Sequence, residues 1–141
     1  MAVVLIVEGD TETRKALSDI VQDLGHRVMI AGGGTSALAV FGGGDRMVPD
    51  LLITDAIMPA MDGIDLARRA RTMRPNLVVI YLAGRCDTIA KDDRELAGEM
   101  VMKPIAPGEL RLKIKRALAL SGVAPLLSNF RPSSPQRQAR R

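Results

Sequence analysis

The sequence predicts an α/β domain: a parallel sheet with helices packed on both faces. Three observations carry that expectation. Strand-like and helix-like stretches alternate five times between residues 3 and 120. The strand-like stretches are continuous apolar runs rather than alternating ones, as strands covered on both sides require. The stretches between them are amphipathic and long enough to serve as the helical crossovers that parallel neighbours need.

The elements follow in order. Val3–Val7, "VVLIV", is the first apolar, β-branched run. Asp10 or Thr11 can cap the next helix, in which Leu17, Ile20, Val21 and Leu24 share a face and Gly25 ends the pattern. "HRVMIA" reads as a second short strand, and "TSALAVF" as a weak helix that stops at the Gly42–Gly44 run. "PDLLITD" repeats the opening pattern, an apolar strand terminating in an acid, Asp55. After the loop "AIMPAMDG", "IDLARRARTM" is helical and Pro75 closes it. "NLVVIYLAG" is the fourth strand, "TIAKDDRELA" a polar helix ended by Gly98, and "EMVM" a short fifth strand. "PGELRLKIKRALAL" is the last helix, with Leu110, Ile114, Ala117 and Leu118 as its buried stripe.

Composition narrows the class further. Hydrophobic residues make up 47% of the 141 residues but aromatics only 2%, so Val, Leu, Ile, Ala and Met must build the core. That length suits one domain plus a tail. No apolar run approaches the ~20 residues of a membrane span. "MAVVLIVEGD" lacks a basic leader, and the single Cys86 excludes an internal disulfide, so a cytoplasmic protein is expected. The net charge of +4 hints at nucleic acid until it is located. From Gly122 onward come Arg131, Arg137, Arg140 and Arg141 with no acid, which leaves residues 1–121 with 16 basic and 16 acidic side chains. The expected organisation is therefore a domain over 1–121 and a basic, disordered tail over 122–141.

Ligands of such sheets sit beyond the carboxyl ends of the strands. Glu8, Asp55, Ala83 and Lys103 each lie at or just after a predicted strand end, so all four should face one rim. Carboxylates gathered there suit a hard, oxygen-seeking divalent cation such as Mg²⁺. A lysine suits a phosphoryl group as a compact point charge. Together they describe phosphoryl transfer, with Asp55 as the natural nucleophile.

The pieces "VLIVEGD", "PDLLITDAIMPAMDG" and "VMKPI" resemble, in order and spacing over residues 2–120, the receiver domain of the bacterial response-regulator family. The resemblance implies a flavodoxin-like (βα)5 doubly wound sheet with strand order 2-1-3-4-5. It implies that Asp55 accepts a phosphoryl group from a histidine kinase or phosphotransfer protein in a two-component phosphorelay, and that Lys103 contacts the phosphate. Mg²⁺ would be held by Glu8, Asp55 and the backbone carbonyl of Ile57, with Asp10 as a candidate substitute ligand. A cis Lys103–Pro104 bond would aim the lysine inward. A downstream protein would read the last helix–strand–helix surface, and a homodimer is compatible; no DNA-reading module follows and no membrane partner is expected.

Three departures alter that pattern. The second of two adjacent acids falls on Gly9, which has no side chain to bind metal. The hydroxyl residue ending the fourth strand is replaced by Ala83, and the rotating aromatic of the fifth by Met100. Reduced Mg²⁺ affinity and unconventional switching are the expected consequences. A pseudo-receiver, binding partners without phosphorylation, is the alternative.

Other signals have plainer readings. An aspartyl phosphatase would need an acid two residues after Asp55, where Ile57 stands, so the chain is read as a non-enzyme. Gly32–Gly34 and Gly42–Gly44 match no phosphate-binding loop. Arg111, Lys113, Lys115 and Arg116 are the solvated side of an amphipathic helix. Asp62 caps a helix, Gly63 permits a tight turn, and Met58 and Pro59 shape the loop. His26, at a helix end, is expected to complement the helix dipole, and Cys86 to be inert.

Overall fold

The computed structural model describes residues 1–43, 47–84 and 97–120. Its strands are β1 (Val3–Val7), β2 (Arg27–Ala31), β3 (Leu51–Asp55), β4 (Val78–Ala83) and β5 (Glu99–Met102). Its helices are α1 (Thr11–Asp23), α2 (Gly34–Phe41), α3 (Gly63–Met73) and α4 (Pro107–Leu120). The polar helix expected over "TIAKDDRELA", Cys86 and the tail from Gly122 lie outside the described residues, apart from Ala97.

All five strands are parallel, in the order β2-β1-β3-β4-β5. Successive strand residues point to opposite faces, so an unbroken apolar run feeds two cores at once. Val4 and Ile6 of β1, Ile53 of β3 and Leu82 of β4 pack with Leu17 and Val21 of α1 and Leu110 and Ile114 of α4. Leu5 and Val7, Leu52, Val79 and Tyr81 pack on the other side with Phe41 of α2 and Ile64, Leu66 and Ala70 of α3.

The starts of α1 and α3 are fixed by side chains. The Asp10 carboxylate caps α1, accepting from the Thr13 amide at 2.9 Å and its hydroxyl at 2.7 Å. Asp62 caps α3 through the Asp65 amide at 2.8 Å, as expected. Past the end of α1 the chain turns through Gly25 at φ 90°, a conformation that favours glycine.

His26 differs from expectation. Its Nδ1 accepts a hydrogen bond from the Ala2 amide at 3.1 Å, and burial pushes its pKa below the usual value. A neutral ring tying the first strand to the turn is not a cationic dipole partner.

Because β1 connects to β2 on one side and the chain then crosses to β3 on the other, β1 and β3 are neighbours in the sheet. The cleft between their carboxyl ends is the topological switch point, where ligands of this architecture bind.

Candidate functional site

Three elements deliver charge to that cleft. Glu8 follows β1 and is 2% exposed, with Oε2 accepting from the Asp10 amide at 2.9 Å. Asp55 is the last residue of β3, and the next peptide is fixed by the Ala56 amide donating to the Leu82 carbonyl at 2.8 Å. Lys103 follows β5, and its amide donates to the Ala83 carbonyl at 2.8 Å, so the strand ladder itself positions the side chain. The Lys103–Pro104 peptide is cis.

Residues 8, 55 and 103 meet. The Lys103 ammonium lies 2.7 Å from Asp55 Oδ1 and 2.9 Å from Glu8 Oε1. The contact to Glu8 is an ion pair without hydrogen-bond alignment: Oε1 has no well-oriented donor among the described residues.

The two carboxyls are driven apart electrostatically. Burial, then the neighbouring Glu8 carboxylate, raises Asp55 from 3.8 to about 6 against the opposing pull of Lys103. Burial also pushes Glu8 upward, but the neighbouring Asp55 carboxyl, the Lys103 ammonium and the Asp10 amide outweigh that and hold it below 4.5. Burial works against the Lys103 charge, yet Asp55 and Glu8 keep its pKa above the usual value. At neutral pH all three groups are charged, and on acidification Asp55 takes the first proton.

The altered positions are equally plain. Gly9 is exposed, and a Cβ built on it would meet nothing within 4 Å. Ala83 is buried at the end of β4 and offers no hydroxyl. Met100 is partly buried in the second core, paired in register with Tyr81, and its carbonyl accepts from the Lys113 ammonium at 2.7 Å. Ile57 lies in the loop after Asp55 with its side chain exposed.

The residues present do not fit a protein-held Mg²⁺. That ion demands near-octahedral oxygen ligation, from carboxylates together with waters or phosphate. Gly9 supplies no ligand. Asp10, the candidate substitute, is exposed, and its carboxylate caps α1 through the Thr13 amide and hydroxyl. Glu8 and Asp55 remain, both already engaged by one ammonium, and no three-acid metal cluster occurs among the described residues.

In the sequence Tyr81 reads only as part of a strand. The ring is fully buried beside Met100, and burial pushes its phenol pKa up against the nearby Arg71 guanidinium. Arg71 also donates to the carbonyls of Leu77, at 3.2 Å, and Ala97. One signal was available: the chain's single tyrosine stands two residues before Ala83, on the same face of a strand.

These features define a flavodoxin-like α/β domain with an acid–lysine cluster at its switch point. The family model of the response regulator receiver domain matches residues 4–115, and the chain belongs to that family. It is similar to the response regulator receiver protein CpdR of Brucella abortus, 29% identical over 120 residues, which cover 82% of this chain and 95% of that protein. It is 31% identical over 119 residues to the DNA-binding transcriptional regulator NtrC of Azospirillum brasilense, 83% of this chain but only 24% of that protein. The chain thus spans about a quarter of the NtrC regulators it matches. Among solved structures, the signal receiver domain of an HD domain-containing protein from Pseudomonas fluorescens superposes with a TM-score of 0.76 at 28% identity, covering 87% of this chain and 98% of that one. A CheY-like receiver domain protein from Methanospirillum hungatei gives 0.75 at 25% identity, covering 86% and 97%. The expected fold and strand order are borne out. Among the described residues no helix is long and apolar enough to cross a membrane.

Proposed function

We propose that this receiver domain accepts a phosphoryl group on Asp55 from the phosphohistidine of a histidine kinase or phosphotransfer protein. The observation that carries the reading is the Lys103 ammonium 2.7 Å from Asp55 and 2.9 Å from Glu8 at the switch point. An Asp55 oxygen attacks phosphorus, the bond from phosphorus to the donor nitrogen breaks, and Lys103 meets the non-bridging oxygens. Glu8 holds the ammonium in the cleft. The output surface is the region of β5 and α4, offered to a downstream protein or a second copy. The test is intact mass after incubation with phosphoramidate or with a partner kinase. A gain of one HPO3 unit supports the reading, and no gain with any donor overturns it.

A second reading, a phosphorylation-independent binding module, is favoured by one observation, the missing carboxylate at Gly9. A Cβ built on Gly9 would meet nothing within 4 Å, so a side chain can be restored there without a clash. Gly9→Asp is expected to raise Mg²⁺ affinity by at least about tenfold, because ligand charge count sets the affinity of such sites. Titration calorimetry measures it; an unchanged affinity would place the metal defect elsewhere.

Tyr81 is expected to stay in place during signalling. It is the only tyrosine, and the chain has no tryptophan, so tyrosine emission reports this ring alone. Acrylamide quenching of that emission should remain low and unchanged when beryllofluoride, a stand-in for the phosphoryl group, is added. A clear rise would show the ring leaving its pocket.

A further inference from the structure

The vacancy at position 9 has two electrostatic effects. An acid there would add both a metal anchor and a negative charge facing an incoming phosphoryl group. Gly9 removes both together. What remains is two carboxylates and one ammonium, a net charge of −1 where a third acid would give −2. Lys103 contacts both carboxylates directly, so a positive charge already stands where the transferring oxygens would arrive. Asp10 is committed to capping α1, and among the described residues no group of three acids or other metal-ligating side chains gathers to rebuild the anchor.

We infer that phosphoryl transfer to Asp55 in this chain needs no divalent cation, with Lys103 supplying the positive charge that metal would otherwise bring. The inference rests on the reading of Asp55 as the phosphoryl acceptor. The step is balanced without metal. An Asp55 oxygen forms the new bond to phosphorus, the donor's P–N bond breaks, and its electron pair stays on nitrogen, which takes a proton from solvent. The charge on the three non-bridging oxygens is met by the Lys103 ammonium.

The full chain is incubated with phosphoramidate in excess chelator and, separately, in excess Mg²⁺, and adduct formation is followed by intact mass. Rates that differ by less than about twofold are expected, against about a hundredfold or more where a metal supplies the usual charge stabilisation. Gly9→Asp should acquire a strong Mg²⁺ dependence, while Gly9→Asn, which adds similar bulk without charge, should not. Adduct that forms only with Mg²⁺ in the wild-type chain overturns the inference and leaves Asp55 as acceptor. No adduct in either condition removes the acceptor reading, and this inference falls with it.

Discussion

Asp55→Asn is expected to abolish phosphoryl uptake while making the folded chain more stable at neutral pH. The first effect follows from chemistry, since an amide oxygen cannot displace the donor nitrogen. The second follows from the cleft. Burial and Glu8 raise Asp55 from 3.8 to about 6, which disfavours its ionised form by about 3 kcal/mol in the fold. That value already includes the opposing pull of Lys103, and solvent screening of the part-exposed carboxylate reduces the effect, so a net gain of about 1–3 kcal/mol is expected above pH 6.

The pH dependence gives the sign. Between pH 3.8 and about 6 the folded chain holds the Asp55 proton that the unfolded chain has released. The Asp55 contribution to stability therefore falls with rising pH across that window and is flat beyond it. Glu8 acts oppositely: its pKa is lowered, so its contribution is present above 4.5 and is lost as pH falls through the folded value. Lys103, raised, contributes fully below 10.5 and loses that contribution as pH rises through its folded value. The advantage of Asp55→Asn should thus be largest above pH 6 and shrink toward pH 4, as read by urea unfolding. Phosphoryl uptake by the wild-type chain should drop about tenfold per pH unit below pH 6, as the nucleophile becomes protonated. A variant less stable than wild type at pH 8 would show that Asp55 is not held under strain.

Much of this architecture was legible because its causes are local. "VVLIV" and "PDLLITD" read as doubly covered strands because period-two geometry sends alternate residues into separate cores, as Leu5 and Ile6 do. Asp10 and Asp62 read as caps because a short carboxylate before a helix satisfies its free amides. Glu8, Asp55 and Lys103 were placed on one rim by strand direction alone. What the sequence withheld depends on distances between elements. Nothing local shows that one ammonium reaches both carboxylates, that Glu8 is almost fully buried, or that Tyr81 rather than a fifth-strand aromatic fills the space by Met100. The role of His26 is hidden from the sequence for the same reason: its partner, the Ala2 amide, lies 24 residues away.

Gly63 makes the same distinction measurable. The sequence suggests a glycine needed for a tight turn, but the left-handed residue of this loop is Ala60, at φ 71°, and Gly63 itself is not at positive φ. Space is the constraint. A Cβ on Gly63 would stand 2.1 Å from the Asp55 carbonyl oxygen and 3.0 Å from its carbonyl carbon and from Thr54 Cγ2. Those are mostly backbone atoms of a central strand, which cannot swing aside. The Gly63 amide also donates to the Ala56 carbonyl at 2.8 Å, so the first turn of α3 rests directly on the end of β3. By helix propensity alone, alanine would gain about 1 kcal/mol over glycine here. Overpacking should reverse the sign and cost about 3 kcal/mol or more. Gly63→Ala is therefore expected to lower the melting temperature by about 10 °C and, by displacing the Asp55 peptide, to reduce phosphoryl uptake. Gly9→Ala is the matched control: its added Cβ meets nothing within 4 Å, so stability should stay within about 1 kcal/mol of wild type. Equal melting temperatures for Gly63→Ala and wild type would mean that α3 does not sit this close to the Asp55 peptide, and the geometry that presents the carboxylate to the cleft would have to be redrawn.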